Sequence, residues 1–261
     1  MKKSKNFIWH LKSPKEIEIL RVGGRRLAEI VATLAAAVRP NMSTAQLETL
    51  AREQIVAAGG KPAFLNYQPM GAKRPFPAAL CLSVNDEIVH GIPGERVLLE
   101  GDIVTLDLGI EYQGMFTDMA MTVPVGEVSA EARQLIDVTA EALARGIAAA
   151  RESQTLGDIG FAIESFVRPQ GFDLVREFGG HGVGFRVHEE PEVSNCGAAG
   201  RGKKLVAGLV IAIEPMVTIG RPDILIADDG YTVKTRDGQL SAHFEHTIAV
   251  TETGPEILTK I

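Results

Sequence analysis

Cysteine is scarce in this chain, and the scarcity removes several options at once. The two present, Cys81 and Cys196, cannot make a disulfide framework, and no C-x-x-C pair offers the thiolates of a structural zinc site. Two such thiols fit a reducing compartment. Long apolar runs are missing as well. No uncharged stretch reaches the roughly 18 apolar residues of a membrane-spanning helix, so no membrane association is expected. The N-terminal MKKSKNFIWHLKSPKEIE is basic but lacks the apolar run of a signal peptide, which makes the cytoplasm the expected location. Positive charge is not in excess either: the net charge is −6, which argues against a specific nucleic-acid partner. What remains is a chain of 261 residues, 45% hydrophobic, enough to bury a sizeable core.

The local pattern is organised around helix starts. Ser13-Pro14-Lys15-Glu16 reads as a capping box with proline at the first helical position. Ile17, Leu20, Leu27, Ile30, Val31 and Leu34 follow at helical spacing and stop before Pro40. Gly23-Gly24 weakens this helix unless the pair permits close packing. Ser43 with Gln46 opens a second helix that ends at Gly59-Gly60. Residues 62–77 are proline-rich and read as loop. Strand-like runs follow at 79–84, 103–110 and 115–123.

The order then recurs. Ser129 opens a helix to about Arg151, and Thr155 with Asp158 opens another that ends near Gly171. Strand-like segments come next at 174–178, 209–217, 231–235 and 243–250. Ser13 and Ser129 lie 116 residues apart, and Ser43 and Thr155 lie 112 apart. The offsets suggest two related halves, about 1–126 and 127–261, within a single catalytic domain of the α+β class. Chance recurrence of helix pairs is the competing reading. Residues 1–12 read as a loose arm, with Phe7 and Trp9 available for packing.

Several polar residues sit in apolar surroundings. Asp107 lies in GDIVTLDLGI and Asp118 in MFTDMAMTV, joined by a hairpin turn near Gln113. A turn centred on Tyr112-Gln113 sets the two aspartates directly opposite. One centred on Gln113-Gly114 sets them diagonally, still on one face. Either way two carboxylates meet among Ile103, Thr105, Ala120 and Thr122, where an intervening cation relieves both burial and repulsion. Glu214 closes the apolar run LVIAIE before a proline and needs a partner. In HFEHTIAV, alternation puts His243 and Glu245 on one face and His246 on the other. His181 and His188 lie in GGHGVGFRVHEEP, whose glycines permit a backbone path that side chains would block. Neither H-E-x-x-H nor a phosphate-loop signature is present. Asp107, Asp118, His181, Glu214 and Glu245 form an oxygen-rich set with one imidazole, suited to Mn, Fe(II), Co or Zn. Four carboxylates match the charge of two divalent ions.

In order and spacing the motifs resemble type I methionine aminopeptidase along nearly the whole chain. They are H-G-I-P around His90, D-x10-D from Asp107 to Asp118, G-H-G-V-G-x3-H-E-E-P around His181, I-E-P-M around Glu214 and F-E-H-T around Glu245. The resemblance implies the pita-bread fold, pseudo-two-fold halves around a curved antiparallel sheet. It also implies roles: Asp107 on one metal, His181 and Glu214 on the other, Asp118 and Glu245 bridging both. A water made acidic by the ions would attack the scissile carbonyl, with Glu214 as proton acceptor and His90 and His188 hydrogen-bonded to the substrate. Phe76, Cys81 and Tyr231 would surround the methionine side chain. The implied partners are nascent polypeptide N-termini beginning with Met, and with them the ribosome, although no zinc-finger module is there to dock on it. A monomer is the family expectation.

The sequence departs from the family at the pocket rather than at the ligands. Phe76 stands where tyrosine is usual, and Phe185, Val187, Cys196 and Tyr231 replace other usual residues. Residues 61–75 align poorly. Aminopeptidase P and prolidase would share the five ligands, but they resemble His-x-x-Gly-His at the first motif, where Glu177 stands here. A binding protein that has lost catalysis is disfavoured because the ligand set is complete.

Overall fold

Four capped helices and fifteen mostly short strands make up the computed structural model, which describes residues 9–69 and 71–261. Most of the arm expected over residues 1–12, Phe7 included, lies outside the described residues. In chain order the elements are α1 (Pro14–Ala37), α2 (Thr44–Ala57), β1 (Lys61–Pro62), β2 (Leu80–Val84), β3 (Glu87–Val89), β4 (Ile103–Tyr112) and β5 (Met115–Pro124). Then come α3 (Ala130–Ala149), α4 (Leu156–Val167), a short 3-10 turn, β6 (Asp173–Leu174), β7 (Gly180–Gly182) and β8 (Glu189–Val193). The remaining strands are β9 (Val210–Ile213), β10 (Met216–Thr218), β11 (Ile224–Ile226), β12 (Val233–Thr235), β13 (Ser241–His243), β14 (Glu245–Thr251) and β15 (Gly254–Ile257).

The helices start where the sequence places them. Ser13 and Ser43 form reciprocal capping boxes with Glu16 and Gln46. The Asp158 carboxylate accepts the Thr155 backbone N–H and its hydroxyl, both at 2.7 Å. Such caps satisfy N–H groups left over in the first turn, worth about 1 kcal/mol each. The Gly23-Gly24 pair does permit close packing: a Cβ at Gly24 would sit 2.5 Å from the Leu258 carbonyl oxygen.

The main sheet has nine strands, all paired antiparallel, in the order β1-β4-β5-β14-β9-β7-β8, with β2 also on β4 and β15 also on β14. Two three-stranded sheets, β13-β10-β6 and β11-β12-β3, complete the architecture. Helices α1 and α2 bury Leu27, Val31, Leu34 and Leu47 against Leu80, Leu106 and Leu108. Helices α3 and α4 bury Leu135, Leu143 and Ile163 against Ile211, Ile213 and Ile248. Each such side chain contributes on the order of 1.5–3 kcal/mol. The sheet is therefore held from two flanks by separate cores. Among the described residues no helix is long and apolar enough to cross a membrane.

The structure departs from the expected strands where the chain changes sheets. The run expected over 209–217 breaks at Glu214-Pro215, since proline has no N–H for the ladder, leaving β9 in the main sheet and β10 in a small one. The run over 243–250 breaks at Phe244 for the same topological reason: β13 pairs with β10 while β14 pairs with β5 and β9. Of the strand expected over 174–178 only its first residue lies in a strand, β6.

Candidate metal centre

The five predicted ligands come from five neighbouring strands of the main sheet. Asp107 is on β4, Asp118 on β5, Glu245 at the start of β14, Glu214 directly after β9, and His181 on β7. The hairpin resolves the register. Tyr112 pairs with Met115, and the turn Gln113-Gly114 has φ of +50° and +81°. Asp107 therefore faces Ala120 and Asp118 faces Gly109, the diagonal arrangement rather than the direct one. Ala120 in turn faces Glu245 across β14. Asp107, Ala120 and Glu245 thus share one rung, and Asp118 lies two residues along β5 on the same face. The glycines flanking His181 serve the close approach expected of them: a Cβ on Gly180 would strike the Ala212 carbonyl, and one on Gly182 the Glu190 carbonyl.

All five side chains are buried. Ligand atoms of Asp118, His181 and Glu245 lie within 4.8 Å of one another, and so do those of Glu214, His243 and Glu245. His181 Nε2 stands 3.6 Å from Glu214 Oε1 and 4.0 Å from Glu245 Oε1. Burial pushes the Asp118 carboxyl up to about 7. Burial and the neighbouring carboxylates push Asp107, Glu214 and Glu245 well above the usual range. Burial, with His188 nearby, drives His181 down to about 3, so its ring is neutral.

The donor set fits a metal. His181 Nδ1 is 2.9 Å from the Gly182 carbonyl oxygen; donating its proton there leaves the Nε2 lone pair facing the carboxylates. Among the described residues Glu245 Oε1 is buried with no hydrogen-bond partner, a costly state for a carboxylate oxygen that a cation would relieve. An oxygen-rich group with one imidazole suits a divalent ion of the Mn, Fe, Co or Zn kind.

The other predicted site residues gather around this cluster. His90 follows β3 and is held at φ +61°, a left-handed conformation uncommon outside glycine. Its ring meets Phe178 edge-on at 5.8 Å, and burial lowers its pKa to about 4. The His188 ring lies 4.4 Å from that of His181. Phe76 and Cys81 belong to one apolar cluster with Val187, Phe64 and Ala78, and Tyr231 packs against it. Phe76 and Tyr231 meet edge-on at 5.2 Å, and the Tyr231 hydroxyl donates to the Arg74 carbonyl. Cys81 pairs with Asp107 across β2 and β4, which joins the apolar cluster to the carboxylates.

Two residues at the site escape the sequence reading. The Tyr67 hydroxyl lies 2.8 Å from His188 Nδ1, although Tyr67 falls in the proline-rich loop. His243, paired by alternation with Glu245, lies fully buried with Nε2 3.3 Å from Glu214 Oε2. The alternation was the available signal for His243. No sequence pattern marked Tyr67.

Many known proteins are similar to this chain. Residues 18–252 match metallopeptidase family M24. The methionine aminopeptidase of Aquifex aeolicus is 46% identical over 255 residues, covering 96% of this chain and 98% of that protein. The crystal structure of methionine aminopeptidase from Rickettsia prowazekii is similar at a TM-score of 0.93 and 37% identity, over 97% of this chain and 100% of that one. An Xaa-Pro dipeptidase from Bacillus anthracis is similar at a TM-score of 0.75 and 21% identity, over 96% of this chain and 62% of that one, a likeness of fold. The pita-bread fold implied by the sequence is the one these structures share with it.

Proposed function

The chain belongs to metallopeptidase family M24, among its type I methionine aminopeptidases, and from that membership we propose that it removes an N-terminal methionine from other polypeptides by metal-dependent hydrolysis. The observation that carries this reading is the convergence of Asp118, His181, Glu214 and Glu245 in a buried cluster whose Glu245 Oε1 has no hydrogen-bond partner among the described residues.

In this reading the site would hold two divalent ions. Asp107 would help to hold one, His181 and Glu214 the other, and Asp118 and Glu245 would serve both. When bound, such ions supply Lewis acidity for a peptide carbonyl and acidify a water enough to attack it near neutral pH. The protein's own groups do the rest. Glu214 would accept a proton from the attacking water. His188 has its Nδ1 engaged by the Tyr67 hydroxyl, which leaves Nε2 to hydrogen-bond the substrate. His90, fixed in its strained conformation and neutral, is the second hydrogen-bonding group. Phe76, Cys81 and Tyr231 form an apolar wall suited to a flexible thioether. The substrates are nascent chains emerging from the ribosome, the working form is a monomer, and the location is the cytoplasm, in keeping with two unpaired cysteines.

Hydrolysis of peptides beginning Met-Ala, Met-Lys, Leu-Ala and Ala-Pro, each with and without added Mn(II) or Co(II), tests the reading. Cleavage of Met-Ala that requires the ion and exceeds the other three is the expected result. Preference for Ala-Pro would move the chain to the proline-directed members of the fold, and turnover unaffected by a chelator would refute the metal mechanism.

A further inference from the structure

We propose that His243 is a positioning residue of the metal centre, which holds one oxygen of Glu214 so that the other faces the ion. The proposal rests on the assignment of Glu214 as a ligand. His243 ends β13 and is 0% exposed, yet neither of its ring nitrogens has a hydrogen-bond partner among the described residues. Its Nε2 lies 3.3 Å from Glu214 Oε2, within reach of a hydrogen bond but not aligned for one. The opposite oxygen, Oε1, faces His181 Nε2 at 3.6 Å. Glu214 is thus set between two imidazoles, one on each oxygen.

The two rings are not equivalent. His181 has the Gly182 carbonyl to receive an Nδ1 proton, so its Nε2 presents a lone pair. His243 has no such acceptor. If its Nε2 bound an ion, its proton would sit on Nδ1 as a buried N–H with nothing to accept it, a loss of roughly 1–3 kcal/mol. With the proton on Nε2, the N–H lies beside a carboxylate oxygen 3.3 Å from the nitrogen, a candidate acceptor that Nδ1 lacks. The protein therefore builds His181 as a ligand and His243 as a donor to one.

The backbone around the pair is already fixed. The His243 N–H donates to Thr122 Oγ1 at 2.9 Å, and that hydroxyl donates to the His243 carbonyl at 2.9 Å. Thr122 is also 2.8 Å from Thr105 Oγ1, so His243 is tied to the hairpin that carries Asp107 and Asp118. On the other side Asn195 Nδ2 donates to the Glu214 carbonyl at 3.0 Å. The freedom left to Glu214 is rotation of its side chain, and His243 is the group placed to remove it. Partners that orient a metal ligand are worth about 10–100-fold in metal affinity.

The test is a titration of the metal-free protein with Co(II), followed by calorimetry and visible absorption. Variants H243L, H243Q and H243N are compared in wild-type and E214Q backgrounds. His243→Leu is expected to weaken Co(II) binding about 10–100-fold with the shape of the visible bands retained. His243→Gln, whose amide can reach the same oxygen, is expected to restore affinity to within about 3-fold of wild type. In the E214Q background His243→Leu is expected to have no further effect. Unchanged affinity in H243L would overturn the proposal, and so would an effect that persists in E214Q. Failure of H243Q to rescue, together with altered Co(II) bands, would make the ring a direct ligand and overturn it too. If E214Q alone binds Co(II) like wild type, the ligand assignment itself falls, a result distinct from all of these. Should circular dichroism show H243L unfolded, H243N, polar but too short to reach, takes its place with the same expected loss.

Discussion

Replacing Asp118 by asparagine should make the metal-free protein more stable, and more so as the pH rises. The Asp118 carboxyl is buried and pushed up to about 7, against about 3.9 for an unfolded aspartate. Between those values the folded chain keeps a proton that the unfolded chain has released. Stability therefore falls as pH rises through the window, and the whole loss is present above the folded pKa. The penalty works out on the order of 1–2 kcal/mol at pH 5 and about 4 kcal/mol at pH 8. The wild type alone would hide this trend, because four largely buried histidines act in the opposite sense. His90, His181, His243 and His246 have pKa values lowered to about 4, 3, 3 and 4, chiefly by burial. Below about pH 6.5 they gain protons only on unfolding, so their contribution rises with pH and is complete above that value. The variant keeps all four, and the difference between the two proteins cancels them. The asparagine amide also keeps an oxygen for the Met119 N–H, which Asp118 Oδ1 accepts at 3.0 Å. Urea unfolding in chelator at pH 5 and pH 8 should show the advantage of D118N growing by roughly 2–3 kcal/mol between the two. Added Mn(II) should then close the gap from the wild-type side, by about 2.7 kcal/mol at a hundredfold excess over Kd. If metal-free D118N is no more stable than wild type at pH 8, or the difference does not widen from pH 5, the carboxylate cluster is not strained and the reasoning is wrong.

Other perturbations separate the roles. Glu245→Ala removes the buried oxygen nearest both donor groups and should cut kcat/KM by more than about 100-fold even at saturating metal; a variant that keeps most of its turnover contradicts a shared ligand. His90→Ala should lower kcat by roughly 100-fold or more while metal content, read by atomic absorption, stays near wild type; loss of the ions would make His90 structural. Tyr67→Phe frees His188 Nδ1 and should lower kcat by about 2–10-fold with little change in KM, the effect of one net hydrogen bond. An unchanged kcat in that variant means the phenol does not orient the ring.

How much of this was legible in the sequence depends on how local the cause is. Helix starts were readable because Ser13, Ser43 and Ser129 accept from backbone N–H groups three residues on, and the Asp158 carboxylate accepts from the Thr155 N–H three residues back. The hairpin placed Asp107 and Asp118 on one face from alternation alone, but left its register open between two turns one residue apart. The backbone settles that, because Gln113 and Gly114 both take positive φ. The breaks at Glu214-Pro215 and Phe244 were not read, since both come from strands leaving one sheet for another. Those same breaks bring His243 against Glu214. Tyr67 was invisible for a related reason. Its loop is set by hydrogen bonds between Tyr67 and Phe76 and between Tyr67 and Phe64, which place the phenol beside a histidine 121 residues away in the chain.

The cluster and the Lys12–Glu189 pair show how the same fold treats buried charge in two ways. Lys12 and Glu189 are both nearly inaccessible, and they meet at 2.7 Å. Removing either would strand the other, so that pair is self-contained and holds the chain before α1 against β8. The four carboxylates have no such partner: among the described residues the charges bearing on Asp107, Glu214 and Glu245 are one another and Asp118, with no lysine or arginine to offset them. A rigid ladder carries them, so they cannot move apart to relieve the repulsion. Nor can they all stay protonated at neutral pH without giving up their function as donors. A sequence under pressure only to fold would have replaced one of them by an apolar residue, as Ala120, opposite Asp107 on the same face, shows the site can accept. Keeping four acids and a neutral imidazole on five adjacent strands makes sense when divalent cations are part of the working protein, because only they lower the energy of the arrangement without changing a single backbone bond.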